Sequence, residues 1–285
     1  MKKVILKSYA KLNLFLKVGK NIKRKSLHNI QSLIFLINLN DEIHIKSNKQ
    51  IRDSVKFIGR FSKNVNNSNS VIKSIHLLRK KGFLNKKSGY EIVVKKNIPV
   101  FSGFGGGSSN AASLIKHFMK SKKISEKNVN YFSKYLGSDL RVFLKTKKIF
   151  QKNLLTIKKF NKNYKFYFVL VYPFLRSSTK NIYSRLNKFE LIQNKNNYNV
   201  KSRLDLVRKL KLENNSLEQV VISKYSIVKK ILKELELIKN CRLSRMTGSG
   251  SACFGLFLNK KEGTQALRQI KKRFPKFWCT LSKTI

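Results

Sequence analysis

Cysteine is scarce: the 285-residue chain has three, Cys241, Cys253 and Cys279. They are odd in number, far apart and form no C-x-x-C pair. That fits reduced cytosolic thiols better than a disulfide frame. The four histidines are scattered, with no zinc-ligand spacing. No apolar run approaches the ~18 residues of a membrane span, so no membrane partner is expected. The start, Met1-Lys2-Lys3-Val4-Ile5-Leu6, imitates a signal peptide. Lys7 and Lys11 interrupt it and no small-residue cleavage site follows, so it reads as a first strand. Negative charge is scarcer still: 13 acidic residues stand against 63 basic ones, for a net charge of +50. The lysines run along the whole chain beside abundant Asn, Ile and Phe, the mixture an AT-rich coding sequence produces. A dedicated nucleic-acid binder concentrates its charge in a stripe or arm. Diffuse charge instead attracts small polyanions such as nucleotides. Its self-repulsion also predicts modest stability.

Glycine is unevenly placed. Four of the 13 glycines fall within five residues, in Gly103-Phe104-Gly105-Gly106-Gly107-Ser108-Ser109-Asn110. Ala111, Leu114, Ile115, Phe118 and Met119 then mark one face of a helix, which Ser109 or Asn110 could cap. A glycine turn feeding a helix start offers unpaired N–H groups and a positive dipole end to a phosphate. The loop is not a Walker A sequence, because no lysine follows Ser108. Nor is it a dinucleotide fingerprint, because Ser108 stands where the third glycine belongs.

Elsewhere the pattern alternates between strands and helices. Val4 to Val18 reads as extended, with Leu12, Leu14 and Leu16 on one face and Lys11 and Asn13 on the other. Further strands are expected over 31–37, 43–45, 55–58, 90–94, 166–172, 253–258 and 277–281. Helices are expected over 71–80, 129–136, 264–273 and around Ile227, Val228, Ile231, Leu232 and Leu235. Residues 147–162 read as irregular, 193–199 as a solvated loop and 244–251 as a loop. A boundary near residue 152 gives two domains, 1–152 and 153–285, in an α+β class whose second half suggests a split βαβ sandwich.

Three motifs now stand together: Ala10-Lys11-Leu12-Asn13-Leu14, the glycine loop, and Thr247-Gly248-Ser249-Gly250-Ser251. Their order and spacing resemble the GHMP kinases. Within these, Leu136-Gly137-Ser138-Asp139 sharpens the likeness to the 4-diphosphocytidyl-2-C-methyl-D-erythritol kinase family. The resemblance spans nearly the whole chain. It implies an N-terminal domain like the second domain of ribosomal protein S5, holding ATP, and a ferredoxin-like C-terminal substrate domain. It implies phosphorylation of the 2-hydroxyl of diphosphocytidyl methylerythritol by ATP with Mg²⁺, in a monomer or weak homodimer. Lys11 and Asp139 are then the catalytic pair. Lys96, Gly103, Gly105, Gly106, Gly107, Ser108, Ser109 and Asn110 hold the nucleotide, and Ser108 or Ser109 faces the metal. Asn13, His28, Tyr183, Thr247, Gly248, Ser249 and Gly250 serve the substrate.

The chain also departs from the family. Ser26-Leu27-His28 stands in place of Gly-Tyr-His, so Leu27 replaces a ring that stacks on cytosine. Losing that stack weakens the base contact by about 1–3 kcal/mol. Arg141 stands in place of a proline, and Ser102 in place of a small residue. Asn69-Ser70-Val71 resembles a segment near the adenine. Asp139 alone could equally be a helix N-cap, and Lys11 one more solvated lysine. Two other readings stay open: a GHMP kinase for homoserine or a mevalonate derivative, and a basic nucleic-acid-binding protein.

Overall fold

The computed structural model describes residues 3–21, 28–48, 50, 52–85, 87–120, 124–192 and 198–285. The chain divides into two compact units. The first comprises Met1–Ala10, Leu39–Val100 and Gly105–Thr146; the second comprises Lys11–Asn38, Phe101–Phe104 and Lys147–Ile285. Two long paired strands, β1 (Lys3–Asn21) and β2 (His28–Asn48), contribute residues to each. The two strands expected at 31–37 and 43–45 are therefore one continuous β2. The polar interruption Asn38-Leu39-Asn40-Asp41 stays extended because Asp41 is buried against hydrogen-bond donors (below).

In the first unit, β3 (Ser54–Ile58) runs parallel to β4 (Gly89–Lys95). β4 in turn pairs antiparallel with β2, from Glu42 opposite Lys95 to Asn48 opposite Gly89. Helix α1 (Ser70–Lys80) starts where Asn69 Oδ1 accepts from the N–H groups of Val71 and Ile72. Val71, Ile75, Leu77 and Leu78 are buried on its inner face. Helix α2 (Gly106–Met119) buries Ala111, Leu114 and Ile115, as the periodicity predicts. Burying each of Leu114 and Ile115 is worth about 1.5–3 kcal/mol. Helix α3 (Glu126–Leu136) is capped by Ser125 and ends at Gly137, whose φ of +97° suits glycine. Helix α4 (Leu140–Lys145) follows at once and buries Leu140, Val142, Phe143 and Leu144.

In the second unit, β5 (Lys148–Gln151) pairs antiparallel with the Ser32–Phe35 part of β2 and with β6 (Ile157–Lys159). Residues 147–162 are thus a strand pair rather than an irregular stretch. Lys148 and Gln151 disguised it, since both are polar yet buried. The Lys148 ammonium donates to Asn163 Oδ1 at 2.7 Å and to the Tyr164 carbonyl at 3.1 Å.

Next come β7 (Tyr167–Tyr172) and five short elements: α5 (Thr179–Ser184), α6 (Arg203–Lys211), α7 (Glu218–Lys224), α8 (Ser226–Glu236) and β8 (Leu243–Met246). The chain closes with β9 (Cys253–Phe257), α9 (Lys260–Arg273) and β10 (Trp278–Lys283). The sheet order β10-β7-β9-β8, antiparallel throughout, has the split βαβ connectivity of a ferredoxin-like sandwich. Its core joins Val169 and Val171 to Ile231 and Leu235 of α8 and to Ala266 and Ile270 of α9. The loop expected from Ser244 starts only at Thr247, because Leu243, Arg245 and Met246 are buried in β8.

Candidate active site

In the first unit the glycine loop starts the helix itself. Gly105, at φ +73°, occupies the N-cap position and α2 begins at Gly106. Neither Ser109 nor Asn110 caps it, because the left-handed glycine turns the chain into the helix four residues earlier. Ser109 N–H already donates to the Gly105 carbonyl at 3.0 Å. The N–H groups of Gly106, Gly107 and Ser108 fall in the first turn, where a helix supplies no partner. The loop lies close over its support. A Cβ on Gly106 would sit 3.0 Å from Ile98 Cγ2 and 3.4 Å from Lys96 Nζ, and one on Gly107 would sit 3.1 Å from Ser70 Oγ.

Beneath the loop is a buried polar cluster. Ser109 Oγ donates to the Tyr9 carbonyl at 2.7 Å and accepts from Ser8 Oγ at 2.8 Å. Asn110 Nδ2 donates to Ser8 Oγ at 2.9 Å and to Asp41 Oδ2 at 3.0 Å, and its Oδ1 accepts from Lys96 Nζ at 3.1 Å. Lys96 is ion-paired with Asp41, whose other oxygen accepts from the N–H groups of Asn97 and Ile98, both at 2.8 Å. Three expected nucleotide residues, Lys96, Ser109 and Asn110, therefore direct their side chains into the protein. The Ser109 hydroxyl is committed inward, which removes it as the alternative metal ligand. Ser108 is half-buried at the loop surface.

In the second unit the remaining motif pieces meet. Lys11 is only 4% exposed and donates to Asn13 Oδ1. Asn13 Nδ2 donates to Ser32 Oγ at 2.8 Å, and Asn13 N–H donates to Thr247 Oγ1 at 3.0 Å. The Thr247 carbonyl accepts from Gly250 N–H at 3.0 Å, closing the Thr247–Ser251 loop. Gly248, at φ +56°, lets this loop approach. A Cβ there would lie 2.9 Å from Lys11 Nζ and 3.0 Å from the Gly103 carbonyl. Gly103 faces Thr247 so closely that a Cβ would overlap its carbonyl. The Ser249 carbonyl accepts from Ser177 Oγ at 2.6 Å, and its hydroxyl meets Thr179 Oγ1 at 2.9 Å. Sequence reasoning missed Asn215, whose amide donates to the Met246 and Gly248 carbonyls, both at 2.9 Å. An asparagine among so many carries no signal.

Asp139 precedes α4 with φ −62° and ψ −19° and makes no side-chain cap bond. The chain has four aspartates, Asp41, Asp53, Asp139 and Asp205. Asp53 is gripped by the Arg79 guanidinium through two bonds of 2.6 Å. Asp205 accepts from Lys201 N–H at 2.8 Å, and Asp41 is enclosed as described. Asp139 is the one aspartate whose carboxylate has no hydrogen bond or ion pair among the described residues. Arg141, in the family's proline position, is buried and binds Glu126 Oε2 at 3.2 Å and Asn130. It joins α4 to α3. The Lys145 ammonium, then Arg141, holds the Glu126 carboxyl below its ordinary value.

His28 Nδ1 lies 3.2 Å from the Gly19 carbonyl, an acceptor, so Nδ1 donates. The His28 ring lies 5.5 Å from that of Tyr183 and 5.3 Å from that of Phe189, the latter stacked at 20°. Phe189 is 40% exposed and carries no periodic signal, so sequence reasoning missed it. Ser26, Leu27 and residues 193–197 lie outside the described residues.

Comparison with known proteins follows the same pattern. Residues 69–140 match the family described as GHMP kinases N terminal domain, and residues 194–276 match GHMP kinases C terminal. A 4-diphosphocytidyl-2-C-methyl-D-erythritol kinase of Pelagibacter ubique is 39% identical over 283 residues, covering 98% of each chain. The same enzyme of Wolbachia sp. subsp. Drosophila simulans is 31% identical, covering 98% of this chain and 97% of its own. In fold, the chain resembles a crystal structure of 4-(cytidine 5'-diphospho)-2C-methyl-D-erythritol kinase, with TM-score 0.72, 21% identity, and coverage of 99% and 100%. It also resembles homoserine kinase from Cytophaga hutchinsonii, with TM-score 0.66, 14% identity, and coverage of 100% and 95%. With its motifs, its ferredoxin-like half and these relatives in agreement, the chain belongs to the GHMP kinases and, within them, to the 4-diphosphocytidyl-2-C-methyl-D-erythritol kinase family.

Proposed function

We propose that this kinase transfers the γ-phosphoryl group of ATP to the 2-hydroxyl of 4-diphosphocytidyl-2-C-methyl-D-erythritol, in the non-mevalonate supply of isoprenoid precursors. The kinship over 98% of the chain supports the reaction. One observation carries the acceptor: His28 lies beside the rings of Tyr183 and Phe189. A polar heteroaromatic beside Tyr183 and the exposed Phe189 suits a nucleobase, which homoserine and mevalonate lack.

The N–H groups of Gly106, Gly107 and Ser108 receive the ATP phosphates at the positive end of α2. In the transfer, the acceptor oxygen bonds to the γ-phosphorus as the bond to the β,γ-bridging oxygen breaks. The hydroxyl proton passes to the Asp139 carboxylate, and the electron pair leaves on ADP. A carboxylate without partners is available for that proton; Asp41, Asp53 and Asp205 are not. Lys11 is held by Asn13 at a fixed position and supplies positive charge to the transferring phosphoryl.

No group of three or more His, Cys, Asp or Glu among the described residues could cage a metal. That donor set fits Mg²⁺, which keeps most of its waters and arrives on nucleotide phosphates. The Ser108 hydroxyl would hold it, and it would neutralise phosphate charge there.

We place the domain boundary near residue 152, with the ATP loop before it and most of the substrate domain after it, while Asn13 and His28 reach the substrate from the N-terminal part. The two family matches fall on either side of that point. We place the enzyme in the cytoplasm, as a monomer or weak homodimer. No helix among the described residues is long and apolar enough to cross a membrane.

Two variants test the roles. Asp139→Asn is expected to lower kcat by about 10²–10⁴-fold with ATP affinity kept; full activity in the folded variant would refute the role. His28→Ala is expected to raise KM for the cytidyl substrate and leave KM for ATP unchanged. The opposite pattern would refute nucleobase recognition.

A further inference from the structure

We infer that Asp41 is a positioning residue for ATP: with Lys96 and Asn110 it forms a clamp that fixes the direction of the N–H groups in the glycine loop. The inference rests on the loop being the phosphate cradle. Asp41 is 0% exposed. It receives four donors: Lys96 Nζ, Asn110 Nδ2, and the N–H groups of Asn97 and Ile98. A buried carboxylate so enclosed has one orientation, since any rotation strands donors in a dry interior. Its donors come from two places. Lys96, Asn97 and Ile98 follow β4, whereas Asn110 belongs to the start of α2. Asn110 and Ser109 extend the same cluster to Ser8 and Tyr9 of β1.

The cluster acts on the loop rather than on the core. Lys96 Nζ lies 3.4 Å from the point where a Gly106 side chain would begin, directly under the backbone that faces phosphate. Glycines at 105, 106 and 107 do not fix their own conformation. The direction of their N–H groups must be imposed from below. Asp41 also neutralises Lys96, so the ammonium remains part of the floor.

The test uses the full-length protein, with ATP and Mg²⁺ titrated by calorimetry and both KM values measured. Folding is checked by circular dichroism and thermal midpoint. Asp41→Asn is expected to weaken ATP binding tenfold or more, with KM for the cytidyl acceptor within twofold of wild type. Asp41→Asn combined with Lys96→Met is expected to bind ATP no more weakly than Asp41→Asn alone, because one clamp is broken once. Should Asp41→Asn not fold, Ser109→Ala decides. It leaves the ion pair intact, removes the tie to Tyr9, and is expected to weaken ATP binding several-fold with the acceptor KM unmoved. Wild-type protein that binds no ATP would overturn the cradle reading and this inference with it. Wild-type binding with unchanged affinity in the folded variant, or equal rises in both KM values, would overturn this inference alone.

Discussion

Two loops of nearly the same composition behave differently. Gly105–Asn110 presents backbone outward, with Gly107 exposed, Ser108 half-buried, and only Ser109 and Asn110 turned in. Thr247–Ser251 is buried from end to end. Its threonine hydroxyl is occupied by Asn13, its Ser249 hydroxyl by Thr179 and its Ser251 hydroxyl by the Leu175 carbonyl, and Gly248 packs on Lys11. Small residues thus serve opposite ends. In the first loop they leave backbone open at the surface; in the second they leave room for the protein's own lysine. The first is an open surface, the second a wall packed against Lys11.

Breaking the wall should have the largest effect. Gly248→Ala places a Cβ 2.9 Å from Lys11 Nζ at a φ of +56°. A displaced reacting group costs about 100-fold. The expected result is that loss in kcat with little change in ATP affinity, measured by steady-state kinetics. Gly106→Ala comes next. Its Cβ would meet Ile98 at 3.0 Å, and KM for ATP should rise about tenfold while kcat changes less, the mirror image of Gly248→Ala.

The serine pair sharpens the contrast within one loop. Ser109→Ala leaves buried polar atoms of Ser8 and Tyr9 short of a partner, which costs about 1–3 kcal/mol. Its thermal midpoint should fall. Ser108→Ala should keep its midpoint and instead raise the Mg²⁺ concentration needed for half-maximal rate.

The smallest effect concerns neither loop. Burial pushes the Cys241 and Cys279 thiols up to about 11, and Cys253 well above its ordinary value. In the unfolded chain these thiols ionise first, so folding stability should decline as pH rises from the unfolded thiol range toward 11. At pH 8 iodoacetamide should leave the native enzyme active and label it only after denaturation.

Much of this was legible in the sequence, for identifiable reasons. Amphipathic periods gave α1, α2, α8 and α9, because apolar residues dominate their inner faces. The motifs gave Lys11, Gly103 and Gly248, which the second unit brings into contact. Hidden features were those in which polar residues are buried. Lys148 and Gln151 masked β5, and Asn215 looked like one more solvated asparagine. Gly105 moved the helix start into the loop, which no pattern of side chains records. Asp139 could not be told from an N-cap until its carboxylate was seen without partners, while Arg141 proved to be a tie between α3 and α4. Phe189 reached His28 without any spacing to announce it.

The most direct measurement is ADP release by purified protein given ATP and Mg²⁺ with one of three acceptors: the diphosphocytidyl methylerythritol, homoserine or mevalonate. Turnover with the cytidyl substrate and none above background with the others is the predicted result. Turnover with homoserine or mevalonate, and silence with the cytidyl substrate, would contradict it.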